Sequence, residues 1–220
     1  MTNVPTPELE PGMTLLRTPS ERSPALHQLV MDAATAPGEV LWIDAGANAK
    51  TTVLYEVAPH RRLLDDIKIA RAFTAYQHHT LVRELLERVT ARTSLVVAPC
   101  AASLYRDDDL DEAEADALCA GSMALLGDLG RAASVPVLCT DAVTDGFTAL
   151  VEEEADVTIT ADRTTVGQAF RVDGEAPHAY WTADGSQWQT TIPYWVELFG
   201  ETADAMATVP TTDVGIAEVG

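Results

Sequence analysis

Short apolar runs alternate with amphipathic helical patterns up to about residue 140 of the chain. The run at 94–98 shows no polar–apolar alternation, which is typical of a strand buried on both faces of a parallel sheet. Similar runs lie at 13–17, 39–44, 67–73 and 135–140. This order of strands and helices predicts βαβ units and therefore an α/β fold.

Apolar side chains at helical spacing predict the helices between these strands. Leu26, Leu29 and Val30 share one face of a first helix. Ser23 is its expected N-cap and Pro24 its expected first residue. Further helices are predicted at about 51–58, at 76–90 and in a long segment that ends near residue 133.

The hydrophobic pattern changes after residue 146. Residues 157–160, 168–172 and 179–182 alternate between polar and apolar side chains. Asp-Gly pairs at 173–174 and 184–185 are typical hairpin turns. The segment therefore predicts an antiparallel β-meander that continues the parallel central sheet.

These patterns predict a single core domain over residues 13–200. Residues 1–12 contain three prolines and few apolar side chains, so we expect a flexible N-terminal lead-in. Residues 201–220 are expected to form a disordered acidic tail.

The charge balance is strongly acidic, with 34 Asp and Glu against 14 Lys and Arg and a formal net charge of −20. Because the chain is also 47% hydrophobic, a folded domain with an acidic surface is expected rather than a disordered chain. Such a surface is tolerated where molar salt screens charge over a few ångströms. We expect a salt-loving archaeal source. The acidity excludes no partner class by itself, but no basic patch supports DNA contact.

Compartment and cysteine chemistry follow from the same composition. No apolar stretch has membrane-spanning length, and no charged-then-apolar leader begins the chain, so a cytoplasmic location is expected. Cys100, Cys119 and Cys139 lack metal-ligand spacing and lie in apolar surroundings. They are expected to be reduced thiols in the core, and no metal site is predicted.

Four stretches carry a resemblance to a known family: Val-Leu-Trp-Ile-Asp at 40–44, Ile-Lys-Ile-Ala-Arg-Ala-Phe at 67–73, Leu-Val-Val-Ala-Pro-Cys-Ala-Ala-Ser-Leu-Tyr-Arg at 95–106, and Pro-Val-Leu-Cys-Thr-Asp-Ala-Val at 136–143. Together they resemble the core of the RecA-type recombinases, in particular the archaeal RadA branch, over about residues 13–185. The resemblance implies a RecA-like three-layer α/β domain. It assigns 95–98 to the Walker B strand and 136–143 to the strand that carries a polar sensor residue.

The residues that ATP hydrolysis needs on this fold are missing. The reaction requires a glycine-rich phosphate loop with a lysine, an acid after the Walker B strand and a group that orients water. The loop at 18–24, at the position of the phosphate loop, has no glycine and contains two prolines and Glu21. Gly46 stands where the family has a carboxylate, and Pro99 stands where it has the Walker B acid. Asp141-Ala142 replaces the polar sensor residue. The resemblance therefore implies a non-hydrolysing relative, with no catalytic residue and no bound cofactor.

An alternative nucleotide site involves Lys50 and Thr51. They end a small-residue loop between a predicted strand and helix, as in a degenerate phosphate loop. This hypothesis predicts a weak switch that binds ATP with Mg²⁺. Neither glycine position of the phosphate-loop motif is glycine, so a solvated loop is the simpler interpretation.

Other candidate residues have simpler structural interpretations. Cys100 follows a buried strand, where α/β enzymes can place a nucleophile, but the sequence specifies no base for it. His78 and His79 diverge on a helix and are expected to cap it or face solvent. Residues 107–116 are expected to form a solvated acidic face, and core or partner-docking roles are expected for Tyr194, Trp181, Trp188 and Trp195.

The leading hypothesis is protein docking at the strand 67–73. In the recombinases that this chain resembles, the corresponding edge strand accepts a Phe-x-x-Ala peptide from a neighbour by strand addition. Ile69, Ala70, Ala72 and Phe73 are the candidate docking residues. No Phe-x-x-Ala occurs in the chain, so it could accept such a peptide but not donate one. The expected partner is an active RadA-type recombinase or a repair complex.

Overall fold

A computed structural model describes residues 6–19, 23–45, 49, 51–107, 109–141, 143–164, 167–174, 179–181 and 188–190. The described strands are β1 (Gly12–Arg17), β2 (Glu39–Ala45), β3 (Ile67–Ala72), β4 (Thr93–Ala98), β5 (Pro136–Thr140), β6 (Val157–Thr164), β7 (Gly167–Val172), β8 (Ala179–Trp181) and β9 (Trp188–Thr190). The described α-helices are α1 (Ala25–Ala33), α2 (Thr51–Val57), α3 (Ala75–Arg88), α4 (Glu112–Ala133) and α5 (Gly146–Glu154). Single 3₁₀ turns lie at Arg61–Leu64 and Ser103–Arg106.

The chain has an α/β fold with a seven-strand, mostly parallel sheet that ends in an antiparallel pair. Among the described residues, the strand order is β3-β2-β4-β5-β1-β6-β7, and the short strands β8 and β9 extend it. The first six strands in this order are parallel to their neighbours. Strands β7, β8 and β9 then pair antiparallel. The predicted parallel α/β sheet is confirmed.

Three details of the prediction need correction. Strand β6 was predicted as part of the antiparallel meander, but it also pairs parallel with β1, with Leu15 opposite Thr158. Helix α1 begins one residue later than predicted, with Pro24 as its N-cap. Helix α5 was not predicted. It begins because Asp145 accepts a hydrogen bond from the Thr148 amide, at 3.0 Å.

Helices cover both faces of the sheet and create two apolar cores. One core holds α1 and Leu54 of α2 against one face, with Trp42 of β2 at its centre. The other holds α3, α4 and α5 against the opposite face, with fully buried Met123 and Leu126 from α4. Because β4 and β5 contribute to both cores, their side chains are apolar in both directions.

Helix α4 approaches the sheet most closely at Gly130. A Cβ atom there would lie 3.0 Å from the backbone of Gly12 and 3.0 Å from a methyl group of Val137. Gly130→Ala is therefore expected to lower the free energy of unfolding by about 1–2 kcal/mol, because crowding outweighs the gain of about 1 kcal/mol in helix propensity. Urea denaturation measures this change.

Gly121 in the same helix provides the matched control. Its added Cβ would be 3.7 Å from a His79 ring carbon, an ordinary contact. Gly121→Ala is expected to raise the free energy of unfolding by up to about 1 kcal/mol. Equal effects of the two substitutions would contradict the close approach at Gly130.

Candidate functional site

Strands β4, β5 and β1 lie side by side, so their carboxyl ends meet at one edge of the sheet. In open α/β sheets ligands bind at this edge. The loop after β4 packs against the end of β5, where the Cys100 amide donates to the Thr140 hydroxyl at 2.9 Å. Cys100 adopts a positive φ of 49°, so the chain turns sharply there.

A cluster of four side chains, which we call the Arg106 cluster, occupies this edge: Arg106, Asp141, Asp145 and Thr148. Arg106 donates two hydrogen bonds to the Asp141 carboxylate, at 2.7 and 3.2 Å. It donates two more to Asp145, at 2.6 and 2.9 Å. The Thr148 hydroxyl donates to Asp141 at 2.8 Å. The cluster therefore joins β5, α5 and the 3₁₀ turn after β4.

The electrostatics of the Arg106 cluster are those of a compensated, largely buried ion network. The Arg106 side chain is 18% exposed and that of Asp141 only 2%. Hydrogen bonds from Arg106 lower the pKa of Asp145 well below its usual range. The hydrogen bonds to Asp145 and Asp141 raise the pKa of Arg106, although burial opposes that rise. Both carboxylates are thus already paired with Arg106.

Among the described residues, this arrangement leaves few unpaired reactive groups at the carboxyl edge. The Arg106 donors point to its own carboxylates rather than outward, and burial raises the pKa of the neighbouring Cys119 thiol to about 12. No group of three His, Cys, Asp or Glu side chains suited to a metal ion occurs within the described ranges. Sequence reasoning named Asp141 but missed the roles of Arg106, Asp145 and Thr148. The Asp-x-x-Thr spacing at the start of α5 was the available signal.

Asp44, at the end of β2, has a structural role. Its buried carboxylate accepts from Arg71 Nε at 2.9 Å and from the Ala49 amide at 3.1 Å. Asp44 and Arg71 are direct neighbours in the register of β2 and β3, so the ion pair ties the outer strand to the sheet. Lys50 lies outside the described residues. Thr51 begins α2, and its side chain is not among those described.

Among the described strands, β3 is the outermost at one end of the sheet. Its Lys68 and Ala70 lie opposite Leu41 and Ile43 of β2, on the face covered by α3. Between β3 and α3 a cavity of about 470 Å³ opens, which we call the edge groove. Its apolar lining comes from Leu41, Ile43, Ala70, Leu81 and Leu85.

The edge groove opens beside Ala70 because this residue of β3 has a small side chain. A larger residue there would fill the space, and α3 contributes leucines across the gap. The groove is also lined by charges of both signs, from Lys68, Arg88, Glu39 and Glu84. Of the predicted docking residues on this face, Ala70 lines the groove, whereas Ala72 is buried and is not part of the lining. The residues from β2 and α3 were missed because they are distant in sequence.

Exposed aromatic side chains continue this surface past the end of β3. Phe73 is 71% exposed and Tyr76 is 51% exposed, which is unusual for large apolar groups. Together with Arg71 and Gln77 they line a second, shallower hollow of about 370 Å³. Ile69 lies in the register opposite Trp42, on the other face of β3, and is 40% exposed. The four candidate docking residues are thus split between the two faces and the strand end.

The prediction that His78 faces solvent or caps a helix is wrong. Its ring is fully buried between α3 and α4, with Nδ1 2.7 Å from the Tyr105 hydroxyl. That hydroxyl is also 2.7 Å from the Ser122 hydroxyl, which lies 2.9 Å from His79 Nδ1. These four residues form a polar chain across the helix interface rather than a surface site.

The remaining predictions have mixed outcomes. The three cysteines are buried and outside any disulfide, as expected for core thiols. The described residues of the 107–116 segment include exposed acidic side chains, and Asp111 caps α4. Other predictions fall outside the part of the chain that is described. These concern the side chains of Trp181 and Trp188, the whole of Tyr194 and Trp195, and residues 20–22 of the loop at 18–24.

Comparison with known proteins adds no family assignment. No model of a known protein family matches the chain, and no curated protein matches it. Over the described segments, none of the helices combines the length and apolar character needed to cross a membrane.

Proposed function

We propose that this chain is a non-hydrolysing relative of the RecA- and RadA-type recombinases that acts as an accessory or regulatory partner in DNA recombination or repair. In this proposal the fold is a RecA-like core, no ATP is hydrolysed, and the protein works by docking another protein at its β3 edge. The expected partner is an active RadA-type recombinase or a repair complex.

The occupied carboxyl edge supports the absence of hydrolysis. The four strands whose ends the resemblance assigns to nucleotide chemistry, β2, β4, β5 and β1, are adjacent, so these ends would share one site. The loop after β4 has Pro99 where an acid is needed, and the nearby Arg106 is satisfied by Asp141 and Asp145. Phosphate binding by Arg106 would require it to give up these contacts.

The edge groove is the single observation that carries the docking role. An unpaired edge strand offers backbone donors and acceptors to an added strand, while a neighbouring apolar pocket provides selectivity. Strand β3 combines both features, because the groove opens beside Ala70. Exposed Phe73 extends the apolar surface.

Filling the edge groove is expected to prevent docking. Ala70→Trp places a large side chain in the cavity without removing any buried contact. Recovery of recombination or repair proteins by the tagged variant from a molar-salt lysate should fall about tenfold or more, since a buried aromatic or apolar anchor often carries 2 kcal/mol or more of binding. Quantitative mass spectrometry of the captured proteins measures this ratio against the wild-type chain.

Leu86→Trp is the matched control. Leu86 is an exposed residue of α3 that does not line the edge groove. The Leu86→Trp substitution adds a similar aromatic surface and should leave partner recovery unchanged. If the wild-type chain recovers no recombination or repair protein, or if Ala70→Trp recovers as much as Leu86→Trp, the proposed function fails.

Calorimetric titration with ATP and Mg²⁺ in molar KCl tests the loss of the nucleotide site separately. We expect no saturable heat at high micromolar nucleotide. Saturable binding that disappears in Lys50→Ala would instead favour the weak nucleotide switch at Lys50 and Thr51.

A further inference from the structure

The positive charges of this acidic protein are concentrated in the segment of the chain around β3. Seven of the 14 Lys and Arg residues lie within residues 61–92, together with only four acidic residues. This segment therefore has a net charge of +3, while the whole chain has a net charge of −20. It comprises β3, α3 and the connections around them.

Two of these cations belong to the edge strand itself. The six residues of β3 include Lys68 and Arg71 and no acid. Lys68 Nζ donates to the backbone oxygen of Asp65 at 2.7 Å rather than to a carboxylate. Arg71 uses Nε on Asp44, and its side chain is still 44% exposed.

The strand register places these two charges on opposite faces. Lys68 shares the α3 face with Ala70, while Arg71 shares the other face with Ile69. A strand added to β3 would therefore have one side chain opposite Lys68, one directed into the edge groove opposite Ala70, and one opposite Arg71. Opposite charges at such directly facing positions stabilise strand pairing, and like charges oppose it.

We propose that the β3 edge selects an extended acidic segment of a partner protein, in which an apolar residue is flanked by carboxylates. The order along a parallel added strand is acid, any residue, apolar, acid; along an antiparallel strand it is reversed. The apolar side chain fills the edge groove, and the carboxylates face Lys68 and Arg71. This inference rests on the proposed docking function and adds the chemistry of its partner.

Charge also argues against the other occupants of this edge. A second copy pairing through its own β3 would bring two further cations and no carboxylate to the strand. A nucleic acid could contact Lys68 and Arg71 through phosphates, but it lacks the repeating backbone groups that complete a sheet edge. An acidic peptide satisfies both the charges and the edge.

Labelled short peptides test this selection by fluorescence anisotropy in molar KCl. The acidic probe carries phenylalanine at the apolar position and aspartate at both charged positions, in each of the two orders. Matched probes carry lysine or glutamine in place of the aspartates. We expect the acidic probe in one order to bind about tenfold more tightly than the lysine probe, because two contact ion pairs replace two repulsions.

Charge reversal supplies the specific readout. Lys68→Glu should weaken binding of the acidic probe and strengthen binding of the lysine probe. Folding should change little because Lys68 is exposed. Equal binding of all three probes by the wild-type chain would overturn the charge selection. Tighter binding of an oligothymidine than of the acidic probe would overturn the choice of occupant. Dimerisation of the chain that is altered by Lys68→Glu would overturn it as well.

The two levels of the proposal fail differently. If Ala70→Trp still abolishes partner capture while the probes show no charge preference, only the acidic selection is wrong. If Ala70→Trp changes neither partner capture nor probe binding, docking at the β3 edge is wrong as well.

Discussion

Arg106→Ala is expected to lower the free energy of unfolding by about 3–5 kcal/mol, because it leaves a buried carboxylate without its charge partner. Asp141 is almost completely enclosed, and Arg106 provides two of its hydrogen bonds. The Asp145 side chain is more exposed, so the loss of Arg106 destabilises its carboxylate less. Denaturant unfolding in molar KCl, followed by circular dichroism, measures the change.

Two further variants separate this charge effect from a simple loss of packing. Adding Asp141→Asn to Arg106→Ala should recover part of the lost stability, since the unpaired charge is removed. Arg88→Ala removes an arginine from an exposed pair with Glu84 and should cost less than about 1 kcal/mol. If Asp141→Asn lowers the free energy of unfolding by the same amount in Arg106→Ala as in the wild-type chain, the two groups are not coupled.

Acidification is expected to destabilise the protein through His78. Burial, together with the charge of His79, lowers the pKa of His78 to about 4 from the ordinary value of 6.5. Between these two values the unfolded chain binds the proton and the folded chain does not. Stability from this group is therefore complete above pH 6.5 and decreases as the pH falls towards 4, by about 3 kcal/mol in total.

His78→Asn tests this assignment because it retains a hydrogen-bonding group for Tyr105 but does not titrate. The free energy of unfolding, measured from pH 7 to pH 4, should fall less steeply in the variant than in the wild-type chain. The difference in slope should correspond to the uptake of at most about one proton on unfolding. His60 is exposed and offers the matched substitution, His60→Asn, which should keep the wild-type slope. A wild-type slope in His78→Asn would show that other groups cause the acid sensitivity.

The two experiments probe two polar networks that meet at the 3₁₀ turn Ser103–Arg106. Arg106 of this turn binds Asp141 and Asp145, while Tyr105 joins the buried His78 of α3 to Ser122 of α4.

Much of the fold could be predicted because its signals are local. Apolar runs located the parallel strands, and helical spacing located α1, α3 and α4 to within a few residues. Helix α5 was missed because it ends in three consecutive glutamates, which leave few apolar positions to reveal a helical period. The parallel pairing of β6 was missed because alternation along a strand does not specify the direction of its neighbour.

The candidate site was less predictable because most of its contacts are distant in sequence. Arg106 meets Asp141 across 35 residues and Thr148 across 42 residues. His78 was expected to cap the helix or face solvent because it diverges from His79 on the helix, but its ring packs inward against Tyr105. No local pattern records such pairings.

By itself, the sequence determined the α/β class, which follows from local periodicity, and the absence of a G-x-x-x-x-G-K-[ST] motif, which follows from the residues present. It also determined the concentration of positive charge in residues 61–92. Only the tertiary structure decided that β3 lies at the sheet edge and that a groove opens beside Ala70. It likewise decided that Arg106 is enclosed by two carboxylates, because strand order and helix packing alone bring these distant side chains together.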